Sequence, residues 1–433
     1  MRTATFSIWA VLILAVAGGF IRQLGSTVGA PNFVPALRDP LLLAVAVWGA
    51  GRLNLFSERR WPVLLALICV FVSAYLLSSM IEDRAVAGLY YLRIYMLPML
   101  FFVGVVGYFT AASDVIARGA VRGLLYWNAT LVVGALVIYG LLQAVPTLRP
   151  TLFGNEQLPA AWYISGGAWM RMGLPASGPN SLGLILALNA FAFIAILLRP
   201  ASNRASFIPG SRLALIGGVA IALIGLVMTF SRSSILLLVV GGPLLLTVSG
   251  ALTFKRLLRL TLGLLTLLGL VVISATIADA ASDGFVDRWI QLNTRLSDPS
   301  MLGHVKSIQE AFDNLHDYGL WGYPRGSVGP KGFLFTGAVN NVENSLLGIW
   351  YDMGLPLGAV YVLTMAVLFG SGYRHPVQWP LLVGFGIPCL LLPYVFEADV
   401  LIYFSFIYIL LGRLHPAQPL GAGHARMDQR PQA

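Results

Sequence analysis

Residues 281–351 read ASDGFVDRWIQLNTRLSDPSMLGHVKSIQEAFDNLHDYGLWGYPRGSVGPKGFLFTGAVNNVENSLLGIWY, the one long stretch of the chain too polar to lie in hydrocarbon. It carries Arg288, Arg295, His304, Lys306, Arg325, Lys331, Glu343 and Asn344, with Asp352 at its edge. Apolar runs flank it at 257–279 and 344–371. Each approaches or exceeds the roughly 20 residues with which a helix crosses about 30 Å of hydrocarbon. A wet segment framed by two such runs predicts a loop outside the membrane, held by helices within it.

Outward from this segment the same pattern recurs along all 433 residues, of which 58% are hydrophobic and 11% charged. A soluble domain carries about 25% charged residues, and mean hydropathy here is +0.80. The composition predicts an integral membrane protein. Its apolar runs lack the alternation of a barrel, so the fold class expected is an all-α polytopic membrane protein. Twelve spans are read, near 6–22, 40–56, 61–80, 88–111, 122–145, 180–198, 213–230, 233–251, 257–279, 344–371, 377–395 and 398–413. The first, preceded by Arg2, reads as a retained anchor rather than a cleaved signal, because many spans follow it.

Net charge is +10, which in a soluble chain would raise nucleic acid as a partner; in this one the question is where the charges sit. With the N-terminus cytoplasmic, the inside segments hold 16 of the 28 Lys and Arg residues but only three of the 18 acids, Glu58, Asp114 and Asp428. That asymmetry is the positive-inside pattern for an even number of spans with both termini inside. Residues 1–279 then form spans one to nine with a smaller outer loop at 146–180, and 280–343 form the large periplasmic loop. Residues 344–413 form the last three spans, and 414–433, rich in Pro, Gly and Gln, read as a disordered cytoplasmic tail. In the large loop, residues 305–315 (VKSIQEAFDNL) place Ile308, Ala311, Phe312 and Leu315 at helical spacing, an amphipathic helix.

Several side chains stand out, each with a bland reading beside it. Arg232, in Thr229-Phe-Ser-Arg-Ser-Ser234, lies at a polar break between two apolar runs with almost no loop. It is either an arginine that snorkels to headgroups or an anion clamp, since a guanidinium offers phosphate a rigid fork of donors. Glu343 either caps the positive end of the following helix or takes a proton from a sugar hydroxyl. Arg288, Arg295, His304 and Lys306 form a basic cluster that is otherwise solvated surface, and Arg171, ahead of Gly178-Pro179-Asn180, has the same two readings. Arg93 falls inside the fourth span, where a charge faces the protein interior or a polar cavity. Tyr90, Tyr91, Trp162 and Trp350 suit an interfacial belt. Cys69 and Cys389 both lie in apolar runs, so no disulfide or metal framework is indicated. The chain shows no P-loop, zinc spacing or Asp-x-Asp pair, so no metal or cofactor is expected, and a donor would have to arrive already energised within the membrane.

The order of three pieces resembles the superfamily of O-antigen ligases and of O-antigen and exopolysaccharide polymerases, bacterial inner-membrane glycosyltransferases. They are Arg171-Met-Gly-Leu-Pro-Ala-Ser-Gly-Pro-Asn180, Phe230-Ser-Arg-Ser-Ser-Ile-Leu-Leu-Leu238, and Tyr318-Gly-Leu-Trp-Gly-Tyr323 followed by Val342-Glu-Asn-Ser-Leu-Leu-Gly-Ile-Trp-Tyr-Asp-Met-Gly354. The resemblance implies the helical C-type glycosyltransferase architecture, metal-free chemistry and a periplasmic site. It also implies a donor oligosaccharide linked to undecaprenyl diphosphate, and a glycan or lipid A-core acceptor. On the matching motifs Arg232 would hold the diphosphate with Arg295, or else Arg288, sharing the task, and Arg171, Asn180, His304, Lys306 and Asn344 would bind substrate. Ligases of the family show His-Asn where this chain has Glu343-Asn344, which inclines the reading toward a polymerase with Glu343 on the acceptor side. Other export components are further candidate partners. The rival from another class is a lipid-linked sugar or solute transporter, against which stands the lack of visible internal repeats.

Overall fold

The structure is a computed structural model; it describes residues 2–27, 36–53, 60–149, 163–164, 169–173, 178–199, 211–250, 299–313, 320–325, 328, 342, 344–373, 375–394 and 397–415. In chain order the helices are α1 (Arg2–Thr27), α2 (Arg38–Arg52), α3 (Arg60–Ile81), α4 (Ala85–Ala111), α5 (Asp114–Ala144) and α6 (Gly178–Leu197). They continue with α7 (Ser211–Met228), α8 (Arg232–Val248), α9 (Pro299–Asp313), α10 (Ser345–Gly372), α11 (Gln378–Leu391) and α12 (Ala398–Leu414). Eleven of the twelve predicted spans coincide with a helix; the ninth, 257–279, lies outside the described residues. Among the described residues, α3, α4, α5, α6 and α10 are long and apolar enough to cross a membrane, and α1, α7, α8 and α11 contain shorter apolar stretches. The protein is thus helical and membrane-embedded in character.

Two small departures from an all-helical reading occur in the 146–180 segment. Residues Pro146–Leu148 form a short 3-10 turn, and Tyr163–Ile164 (β1) pairs antiparallel with Trp169–Met170 (β2). The predicted loop helix is present as α9, beginning six residues earlier because Pro299 occupies its first position, where a missing N–H costs nothing. Ala311 is buried and Ile308 packs on the core, whereas Phe312, expected on the same face, is exposed.

The core is built on α4, α6 and α12. α12 packs on both α4 and α6, while α2 and α3 flank α4 and α7 and α8 flank α6. Nearly every residue of α6 and α12 is buried, and their side chains are apolar all round, as a central helix requires. Peripheral α3 and α5 instead turn Val63, Val70, Leu77, Met80, Val133 and Val137 outward. Exposed apolar surface on that scale suits hydrocarbon and not water.

Two devices replace the missing hydrophobic drive between helices in lipid. Small residues let backbones touch: a Cβ on Gly49 of α2 would stand 2.5 Å from the Cα of Gly104 in α4. Buried amides also link helices, with the Tyr403 hydroxyl donating to Asn189 Oδ1 (2.6 Å), Asn189 Nδ2 to Asn128 Oδ1 (3.1 Å), and Asn128 Nδ2 to the Gly218 carbonyl (3.1 Å). That chain joins α12, α6, α5 and α7 through the middle of the bundle.

Polar contacts sort the helix ends into two groups. At one end Arg38, the first residue of α2, pairs with Asp399 of α12 and Arg93 of α4 pairs with Asp39 (2.5 Å). Arg93, expected to face the protein interior or a polar cavity, is instead 45% exposed on this rim. At the other end Arg413, near the close of α12, pairs with Asp114, the first residue of α5 (2.8 Å).

Candidate functional site

The N-termini of α6, α8, α10 and α12 meet at the end of the bundle that carries Asp399. The junction is organised by the carbonyl of Asn180 in the first turn of α6, which accepts from Ser234 Oγ of α8 (3.3 Å) and from the Tyr394 hydroxyl (3.2 Å). Tyr394 belongs to the connection between α11 and α12 and is fully buried. On that connection the Leu390 and Leu392 carbonyls accept from Asn344 Nδ2 and Ser345 Oγ at the start of α10, each at 2.7 Å. Ser181 Oγ of α6 donates to the Glu397 carboxylate, next to α12, at 2.5 Å. Each helix start carries roughly half a positive charge on its unsatisfied N–H groups, so four converging starts favour an anion.

Two arginines stand at this junction. Arg171 Nε donates to the Thr229 carbonyl (2.8 Å) and its Nη2 to Asn180 Oδ1 (2.5 Å). It thereby staples the strand segment to both the α7–α8 break and the start of α6. Arg232 is the first residue of α8, half-buried, directly after a break in which Phe230 adopts φ +50°. A phenylalanine in the left-handed region is costly, and here the turn reverses the chain between α7 and α8 within three residues. Ser231 Oγ and Ser234 Oγ lie 2.7 Å apart behind it.

The remaining expected residues fall differently. Asn344 is the N-cap of α10, its Oδ1 accepting from the N–H groups of Leu346 (2.9 Å) and Leu347 (3.0 Å). Its side chain is used on both faces by the fold, so the capping role considered for Glu343 belongs to its neighbour. Lys306 lies on α9, 76% exposed and paired with Glu310 (3.5 Å). His304 is placed within α9, but its side chain lies outside the described set. Arg288, Arg295 and Glu343 lie outside the described residues.

A second polar centre sits about 12 Å further along α10, by the 1.5 Å rise per residue. Asp352 is fully buried there, accepting on Oδ2 from the hydroxyls of Tyr75 (2.9 Å) and Tyr95 (2.7 Å). Two residues later Gly354 takes φ +71° and breaks α10 ahead of Pro356. Residues 320–325 plug the break: the Tyr323 N–H donates to the Tyr351 carbonyl (2.6 Å) and the Leu355 N–H to the Leu320 carbonyl (2.8 Å). Tyr323 and Tyr351 stack at 5.4 Å. Arg325, only 3% exposed, donates to the Asp352 carbonyl, to Ser78 Oγ (3.0 Å) and, through its N–H, to Glu82 Oε2 (2.6 Å). Its guanidinium stands 5.5 Å from the Tyr75 ring centroid.

Sequence reasoning placed Arg325 and Asp352 in the right stretch without a role, and missed Glu82 and Glu397. Asp352 had a signal, being the sole acid inside the 344–371 run and followed at once by Met-Gly-Leu-Pro. Among the described residues no cluster of His, Cys, Asp and Glu suits a metal. Comparison with protein-family models, with curated proteins and with solved structures finds no match. What the chain does is therefore argued from its own residues.

Proposed function

We propose that the protein is a twelve-span glycosyltransferase of the bacterial inner membrane, both termini cytoplasmic, acting as a polysaccharide polymerase at the periplasmic face. The hydroxyl of an acceptor glycan displaces the lipid diphosphate from the anomeric carbon of a lipid-linked oligosaccharide, with inversion and without a metal. The observation that supports this best is the junction of four helix N-termini beside Arg232 and Arg171, a site suited to the diphosphate on which charge grows as the bond breaks. Arg171 acts through its staple to hold the α7–α8 break, and Arg232 faces the leaving group. Arg295, or else Arg288, supplies the second positive charge and Glu343 receives the acceptor proton.

Purified protein is incubated in nanodiscs with a lipid-diphosphate-linked oligosaccharide and no added metal, and the products are resolved by size. A ladder of repeat units, lost in Arg232→Ala, supports the polymerase; a single transfer that requires lipid A-core would make it a ligase. One observation favours a reading of another class: a buried acid at a helix break is how transporters build a midplane site. Uptake of lipid-linked sugar or solute into vesicles with no glycosidic bond formed would establish that instead.

A further inference from the structure

At the opposite end of the bundle, away from the helix starts, three basic side chains from three elements meet. Arg199 follows the end of α6, His375 precedes α11, and His415 follows the end of α12. The two imidazoles are tilted against each other with centroids 5.1 Å apart. The corner is built. The His375 N–H donates to Gln378 Oε1 (3.0 Å), and Gln378 Nε2 reaches the carbonyls of Gly372 (3.2 Å) and Tyr408 (2.9 Å). A side chain on Gly412 would overlap Gln378, so α12 is pressed against this turn. The Val377 N–H donates to His375 Nδ1 (3.2 Å), so the proton of the neutral ring sits on Nε2. Among the described residues His415 Nε2 is buried without a hydrogen-bond partner.

Basic residues past helix ends ordinarily compensate their own helix's carbonyls. That account leaves His415 Nε2 unexplained, and it sets like charges together. Burial, Arg199 and His375 push the His415 imidazole down to about 3, and burial and Arg199 lower His375. Burial lowers Arg199 too, with Asp114 opposing. Asp114 is already paired with Arg413.

We propose that Arg199, His375 and His415 form a binding site for a phosphate-type oxyanion, either a lipid headgroup or free phosphate. The guanidinium supplies a two-pronged donor, His375 Nε2–H a third, and His415 Nε2, once protonated, a fourth. An oxyanion raises the pKa of both imidazoles, so binding takes up protons: affinity is greatest at low pH and falls as pH rises through the bound-state values.

The test uses full-length protein carrying 15N-labelled histidine in nanodiscs of phosphatidylcholine, with inorganic phosphate added, and in parallel in nanodiscs containing phosphatidylglycerol. The expected result is that His415 and His375 ring nitrogens move toward the imidazolium pattern in one of the two arms, with affinity at least about tenfold weaker at pH 8 than at pH 6. A response to phosphate in phosphatidylcholine identifies a soluble anion; one confined to phosphatidylglycerol identifies a headgroup. Arg199→Gln and His415→Gln are each expected to weaken binding at least about tenfold. Unshifted rings in both arms of the unmodified protein, or full binding by both variants, would overturn the proposal.

Discussion

The hydroxyl of Tyr95 donates to the carboxylate of Asp352 at 2.7 Å, joining α4 to α10 at the point where α10 is about to break. Tyr75 brings α3 to the same oxygen. Removing the carboxylate strands two buried hydroxyls, at about 1–3 kcal/mol for each unsatisfied group. Asp352→Ala is therefore expected to lower the melting temperature in detergent by many degrees, and Tyr95→Phe by less. Asp352→Asn keeps an acceptor for both tyrosines and is expected to remain folded. Its transfer activity, assayed as ladder formation, should survive if the centre is architectural; a folded but inactive Asn variant would move the chemistry to Asp352.

Arg171 and Arg232 lie at one junction but should fail in different ways. Arg171 gives its donors to Thr229 and Asn180, so Arg171→Ala loosens the α7–α8 break and costs about 1–3 kcal/mol in stability. Arg232 is half-buried at the first position of α8, and Arg232→Ala is expected to lower melting less than Arg171→Ala does. Loss of one preorganised donor to a developing oxyanion typically costs a hundredfold or more in turnover. The expected pattern is thus a folded, inactive Arg232→Ala and a more destabilised Arg171→Ala, read by melting curves alongside product ladders. Full activity in Arg232→Ala would remove the clamp from the mechanism.

Hydropathy carried the fold further than the site. Helix positions were legible because burial in lipid demands uninterrupted apolar runs, and the break at Arg232 was legible because Ser-Arg-Ser-Ser has no place inside one. The α10 break was not, since Gly354 and Pro356 sit in a run whose composition is otherwise continuous; a glycine and a proline in a membrane helix bend it or break it depending on what fills the gap. What fills it is the 320–325 segment, a partner about thirty residues away whose docking no periodicity records. That Asn344 caps α10 was not legible for a related reason. Glu343 and Asn344 both carry an oxygen that can accept from a helix start, and the backbone decides that Asn344 is the cap.

The glycine pair at that break gives a third prediction. A Cβ on Gly322 would lie 2.9 Å from the Tyr351 carbonyl oxygen, and one on Gly354 2.6 Å from that of Trp321, each at positive φ. Alanine at either position meets both backbone strain, about 1 kcal/mol or more, and a clash with main chain that cannot rotate away. Gly322→Ala and Gly354→Ala are expected to undock the segment from α10, seen as faster hydrogen exchange at the Tyr323 and Leu355 amides. Unchanged exchange would show that the plug does not hold the break.

Asn344 separates a cap from a ligand. Its Oδ1 accepts from Leu346 and Leu347, a role aspartate performs equally well, while its Nδ2 bond to Leu390 is one aspartate cannot make. Replacing an N-cap by alanine costs about 1 kcal/mol, so Asn344→Ala should lower the melting temperature and Asn344→Asp should retain much of it. If Asn344 acts only through the start of α10, turnover in both variants should follow the folded fraction. A well-folded Asn344→Asp with a raised KM for the lipid-linked donor and unchanged kcat would instead place the amide against the substrate, since the new carboxylate would repel a diphosphate that the four helix starts attract.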